Sequence, residues 1–140
     1  MTRPLLPMEI IRELKAFDPK LDEAEEAGDG ARLAELWEEL WAKVPTPSSD
    51  WDVQGRVSLA TNQLIDVGNW EALRPWIPRF TEQYGADDPD TRILVGILDY
   101  NTGEKEEAHR ILAGVLEEFG PTVFEGRKEY LRVAKGGQLS

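Results

Sequence analysis

The sequence has no cysteine in its 140 residues. Disulfides, thiolate zinc sites, iron–sulfur clusters and cysteine nucleophiles are therefore excluded. It has one histidine, His109, so any metal site would have to be built from oxygen ligands around at most one imidazole. Basic residues are scarce: 16 lysines and arginines stand against 27 carboxylates, giving a net charge of -11. A field of that sign repels phosphate backbones, which argues against nucleic acid as a partner. Long apolar runs are missing too. No stretch approaches the roughly 20 apolar residues of a membrane span, and the opening residues carry no run of signal-peptide length. No membrane partner is expected, and the composition fits a cytoplasmic chain. Finally, no segment alternates apolar and polar residues with period two, so no strand is predicted.

What the sequence has instead is helical periodicity. Leu33, Leu36, Trp37, Leu40, Trp41 and Val44 fall along one side of a helix. Ala108, Ile111, Leu112, Val115, Leu116 and Phe119 repeat the same offsets. Shorter versions run through Val57–Ala60–Leu64–Val67, Leu73–Trp76–Ile77–Phe80 and Ile93–Leu94–Ile97–Leu98. The breaks are regular as well. Gly28-Asp29, Gly68-Asn69 and Gly103-Glu104 each separate two amphipathic segments, where glycine can take the left-handed conformation that ends a helix. Proline-bearing breaks at Pro45 and Pro47, at Pro89 and at Pro121 close the second helix of each pair. Pro75 and Pro78 interrupt one apolar pattern, which predicts a kink or a delayed helix start there.

The three glycine turns lie 40 and 35 residues apart, and a unit of helix, glycine turn, helix and proline break resembles the tetratricopeptide repeat. The third unit resembles it best, with Gly103 ending the first helix, Ala108 at the small-residue position five residues on, and Gly96 seven residues before the turn. Leu33 and Leu73 stand at the small position in the other two units. The chain is also similar to small bacterial repeat proteins around Val44-Pro45-Thr46-Pro47 and Trp51-Asp52, and around Phe124 and Tyr130. The resemblance implies one all-α domain over residues 1–140. Within it are an extra N-terminal helix over 5–17, three hairpins over 19–121 stacked as a right-handed superhelix, and a short C-terminal docking segment over 122–135.

Chemistry-bearing residues are few. His109 lies among Glu106, Glu107 and Arg110, as ordinary helix charges do. Asp87, Asp88 and Asp90 lack the glycine and distal glutamate of a calcium loop and read as a helix cap, with Asp88 or Asp90 accepting from the opening amides. The serines have no nucleophile elbow. No catalytic residue, metal site or cofactor site is nominated. Trp37, Trp41 and Trp76 read as packing, whereas Trp51 and Trp70, at helix starts, are candidate partner anchors or homodimer contacts.

The resemblance implies that the first helix of each pair lines a concave groove. The groove would present Asp22, Glu25 and Glu26, then Ser58, Asn62, Ile65 and Asp66, then Asp90, Ile93, Ile97, Tyr100 and Asn101. Residues 1–50 carry 12 acidic and 6 basic residues and residues 101–140 carry 7 and 6, so a cationic partner is steered to the N-terminal half. The expected function is a non-catalytic module that holds a protein or peptide, of basic character, as monomer or homodimer. A bacterial immunity protein neutralising a basic toxin is one version, and an adaptor or chaperone for a secreted protein is another. A small-molecule-binding domain or an enzyme, using a pocket near His109 or the loop of Asp87, Asp88 and Asp90, is the alternative from a different class.

Overall fold

The computed structural model describes residues 2–139 and is all-α, with no strand among them. The chain divides into two compact units, one ending at Gln83 and the other beginning at Tyr84.

The first unit opens with an extended arm and helix α1 (Met8–Lys15). The helix starts later than the spacing predicts, because a residue before proline disfavours the helical region and Leu6 precedes Pro7. Helices α2 (Asp18–Glu26) and α3 (Gly30–Trp41) form the first hairpin. Asp18 is the first residue of α2 and its side chain makes no cap hydrogen bond. The chain runs almost directly from α1 into α2, with Leu21 N–H donating to the Phe17 carbonyl, and the Asp18 carboxylate instead pairs with Arg56.

After a 3-10 turn at Ser48–Asp50 come α4 (Gln54–Val67), the single turn α5 (Trp70–Leu73) and α6 (Trp76–Tyr84). The predicted interruption is present. The helix breaks around Pro75 and restarts at Trp76, leaving Pro78 in the first turn of α6, where no intrahelical donor is needed. The core holds Trp37 edge-on to Trp76 at 5.6 Å and Trp41 edge-on to Trp76 at 5.2 Å. Arg79 stacks on both Trp41 and Trp76, and its guanidinium forks onto Glu38 at 2.7 and 2.9 Å.

The second unit is built on the hairpin α7 (Pro89–Asn101) and α8 (Lys105–Phe119), covered by a 3-10 segment (Pro121–Arg127) and α9 (Lys128–Ala134). Asp88 caps α7, its side chain accepting from Asp90 N–H at 2.8 Å.

All three glycine turns have the same chemistry. Gly28, Gly68 and Gly103 have φ of 66°, 70° and 94°. The residue after each glycine donates its amide five residues back: Asp29 to Ala24, Asn69 to Leu64 and Glu104 to Asp99. In the first two turns that residue then caps the next helix, Asp29 accepting from Arg32 N–H and Asn69 from Ala72 N–H.

Gly96 sets the spacing of α7 and α8. A Cβ there would lie 2.6 Å from Leu112 Cδ2 and 2.7 Å from its Cγ, and Leu112 is fully buried. Gly96→Ala should therefore destabilise the protein by about 1 kcal/mol net, overpacking outweighing the gain in helix propensity. A urea-unfolding midpoint equal to or above that of the parent would contradict this packing.

Candidate functional site

Three of the eight nominated residues converge in the first unit. Asp22 and Glu25 are one turn apart on α2 and share a face; Asp66 is in the last turn of α4, which packs against α2. What holds Glu25 in place begins in the core. The Trp37 indole, fully buried, donates to Gln63 Oε1 at 2.8 Å, and Gln63 Nε2 then donates to Glu25 Oε1 at 3.3 Å. Partial burial raises the Glu25 carboxyl above its ordinary range, as do a hydrogen bond and repulsion from Asp66 and, more weakly, repulsion from Asp22. The Gln63 amide opposes them. Glu26 and Asn62 are exposed on the same two helices.

Beside these carboxylates lies an open cleft of about 570 Å³ between the N-terminal arm, α1, α2 and α4. Leu6, Leu14, Leu21 and Val53, all buried, form its floor. At its mouth Leu5 is 72% and Leu59 39% exposed, large values for leucine. Its polar residues are Asp18, Asp22, Asp52 and Arg56. Arg56 Nη1 donates to Asp18 Oδ1 at 2.6 Å, so the one cation among the described residues of the cleft is held by a carboxylate of its own wall. Asp22 belongs both to the cleft and to the carboxylate group on α2.

The cleft wall is anchored by the arm. Arg3 donates to the carbonyls of Ser49 (2.7 Å), Gln83 (3.0 Å) and Glu82 (2.7 Å), the last two at the C-terminal end of α6. Asp52 N–H donates to the Pro4 carbonyl at 2.8 Å. Gln83, itself buried, accepts from Val53 N–H and donates to the Ser48 and Trp51 carbonyls, tying the loop before α4 to α6.

The three nominated residues of the second unit are placed differently. Asp90 is exposed in the first turn of α7. Tyr100 is buried and edge-on to Tyr130 at 6.2 Å, with Lys105 Nζ 5.1 Å from its ring centre. Its hydroxyl accepts from Leu139 N–H. Asn101 donates to the Tyr130 hydroxyl at 2.9 Å and to the Ile97 carbonyl at 2.8 Å. Burial raises the Tyr130 hydroxyl above its usual range, against the opposing hydrogen bond from Asn101. Ile93 and Ile97 are buried core residues. The C-terminal segment thus supplies partners to the part of α7 that was expected to line a groove.

His109 Nδ1 lies 3.0 Å from the Val133 carbonyl, and since a carbonyl only accepts, that nitrogen carries the proton. Among the described residues no group of three histidine, aspartate or glutamate side chains is arranged to hold a metal ion, and no helix is long and apolar enough to cross a membrane. Trp51 and Trp70 are partly exposed.

Reading the sequence for helix faces passed over Leu5, Asp18, Asp52, Arg56 and Leu59. The signal for the first of these was the pair Pro4 and Pro7, which brackets two leucines that no helix could claim.

The raised Glu25 pKa has a sign that can be tested. A carboxyl that binds its proton more tightly in the folded state favours folding at low pH and loses that contribution as pH rises through its folded value. Glu25→Gln, which keeps the acceptor for Gln63, should therefore raise the thermal midpoint at pH 7. Its advantage should shrink as pH falls toward the ordinary glutamate value of 4.5. Melting curves from pH 7 to 4.5 that run parallel for parent and variant would contradict the assignment. Comparison with known proteins finds no family model, no curated protein and no solved structure that matches this chain.

Proposed function

We propose that this protein is a non-catalytic binding module that takes a cationic segment of another protein onto the α2–α4 face of its first unit. The observation that carries the reading is the convergence of Asp22, Glu25 and Asp66, with Glu25 tethered through Gln63 to the buried Trp37. Such an arrangement costs partial burial of a carboxylate and, after it, repulsion between carboxylates in the free protein, and both raise the Glu25 pKa. A lysine or arginine brought against it relieves that repulsion, so part of the binding energy is stored in the unbound state. The first unit carries 16 acidic and 9 basic residues, so its long-range field steers the same class of partner.

The three glycine turns, each with the same amide-to-carbonyl bond five residues back, support reading α2–α3, α4–α6 and α7–α8 as degenerate tetratricopeptide-like repeats. In that reading α2, α4 and α7 are the first helices of their pairs. An immunity protein that masks a basic toxin and a chaperone for a basic secreted protein both use this chemistry. The enzymatic alternative rests on His109, whose Nδ1 is engaged by the Val133 carbonyl.

Fluorescence anisotropy with a labelled lysine- and arginine-rich peptide tests the reading. Binding should weaken about tenfold between low and physiological salt, roughly 20 to 150 mM. The double variant Asp22→Lys, Glu25→Lys should weaken it by at least as much at low salt. Equal affinity for a glutamate-rich peptide of the same length would defeat the proposal.

A further inference from the structure

The carboxylates explain attraction for a cation but not the apolar cleft they adjoin. That cleft is open, its volume of about 570 Å³ lies within the range of ligand sites, and its floor is leucine and valine. Leu5 and Leu59 stand at its mouth and Met8, 61% exposed, follows the arm. Two large apolar side chains, Leu5 and Leu59, exposed at one opening mark an interaction surface on a protein so rich in charge. Among the described residues nothing in the cleft offers a free cation: Arg56 is already held by Asp18 at 2.6 Å. What remains at its edge is acidic, namely Asp22 and Asp52.

Apolar floor and acidic edge together describe the complement of one structure, a helix with leucine-like residues on one face and lysine or arginine flanking them. The geometry points to a short basic amphipathic helix of a partner protein as the occupant of this cleft. Its apolar face would lie between Leu5 and Leu59, and its cations would meet Asp22 and Asp52 and continue onto Glu25 and Asp66. An acidic amphipathic helix is repelled by the same edge. A fully polar basic peptide leaves Leu5 and Leu59 in water. An anionic lipid surface meets a field of the wrong sign. The inference rests on the reading of the α2–α4 face as a cation-binding surface and adds to it the apolar face and the helical form of the partner.

Three labelled synthetic peptides of equal length separate the two claims when titrated into the intact protein. The first is a leucine–lysine amphipathic helix, the second has the same composition scrambled so that no face is formed, and the third replaces lysine by glutamate. The amphipathic basic peptide should bind at least tenfold tighter than the scrambled one and gain helical circular dichroism on binding. The glutamate peptide should not bind. Leu59→Glu and, separately, Leu5→Glu should each remove most of the difference between the first two peptides. Both side chains are exposed enough for folding to survive, which an unchanged far-ultraviolet spectrum of the free variants verifies. Equal, salt-sensitive binding of the first two peptides would overturn the amphipathic helix while leaving the cationic reading standing. Equal binding of the basic and acidic helices would defeat both. A self-dimer in sedimentation that Leu59→Glu dissociates would assign the cleft to a second copy of the chain and overturn the inference.

Discussion

A buried indole cannot leave its N–H without a partner, and in this protein that requirement reaches the surface. Trp37 is fully enclosed, so it needs an acceptor within the core, and Gln63 provides one from α4. An amide side chain placed there has its own donor to satisfy. Gln63 meets that need by donating to Glu25 on α2. One hydrogen-bond chain thus joins α3, α4 and α2 and fixes a carboxylate that would otherwise sample many rotamers. Losing any member strands the others, since a half-satisfied buried network costs more than an apolar substitute. The position of the carboxylates is consequently a property of the core as much as of the surface.

The cleft depends on a second polar clasp. A proline-rich arm has no helical hydrogen bonds to hold it, yet Leu6 must stay buried to floor the cleft. Arg3 supplies the hold by donating to three carbonyls, two of them at the end of α6, where carbonyls lack intrahelical donors and the helix dipole favours a cation. Gln83 fastens the loop before α4 to that same helix end. The arm and the loop before α4, two parts of the cleft wall, are thus both tied to α6, which on the proposed reading lowers the ordering cost of binding.

Much of the architecture was legible because it depends on local rules. Helix periodicity marked the amphipathic segments, and the glycine turns reflect the conformational freedom that ends a helix. The break at Pro75 and the cap at Asp88 were readable for the same reason: proline removes a donor, and a short carboxylate side chain reaches the opening amides. Of the candidate site, Asp22, Glu25 and Asp66 were nominated from their offsets relative to Gly28 and Gly68. What could not be read were contacts between residues distant in sequence. Arg56 finds Asp18 across 38 positions and Arg3 finds Gln83 across 80, and no periodicity encodes such pairings. Apolar spacing alone would start α1 at residue 5, but the restriction that Pro7 places on Leu6 delays it to Met8.

The same turn chemistry has opposite outcomes in the two units, and the difference lies in the segment that each hairpin leads into. In the second unit α9 brings Tyr130 against Tyr100 and within hydrogen-bonding distance of Asn101, so polar groups on α7 are satisfied within the chain. In the first unit Asp22 remains exposed on α2 and Glu25 accepts from Gln63, against burial and two carboxylates that raise its pKa. Satisfied groups gain little from a partner, because each must exchange one hydrogen bond for another. A carboxyl held under repulsion gains from any cation that reaches it. On the proposed reading the incentive to bind a cation therefore lies on α2 and α4, where the adjoining apolar cleft would add a driving force that salt does not screen.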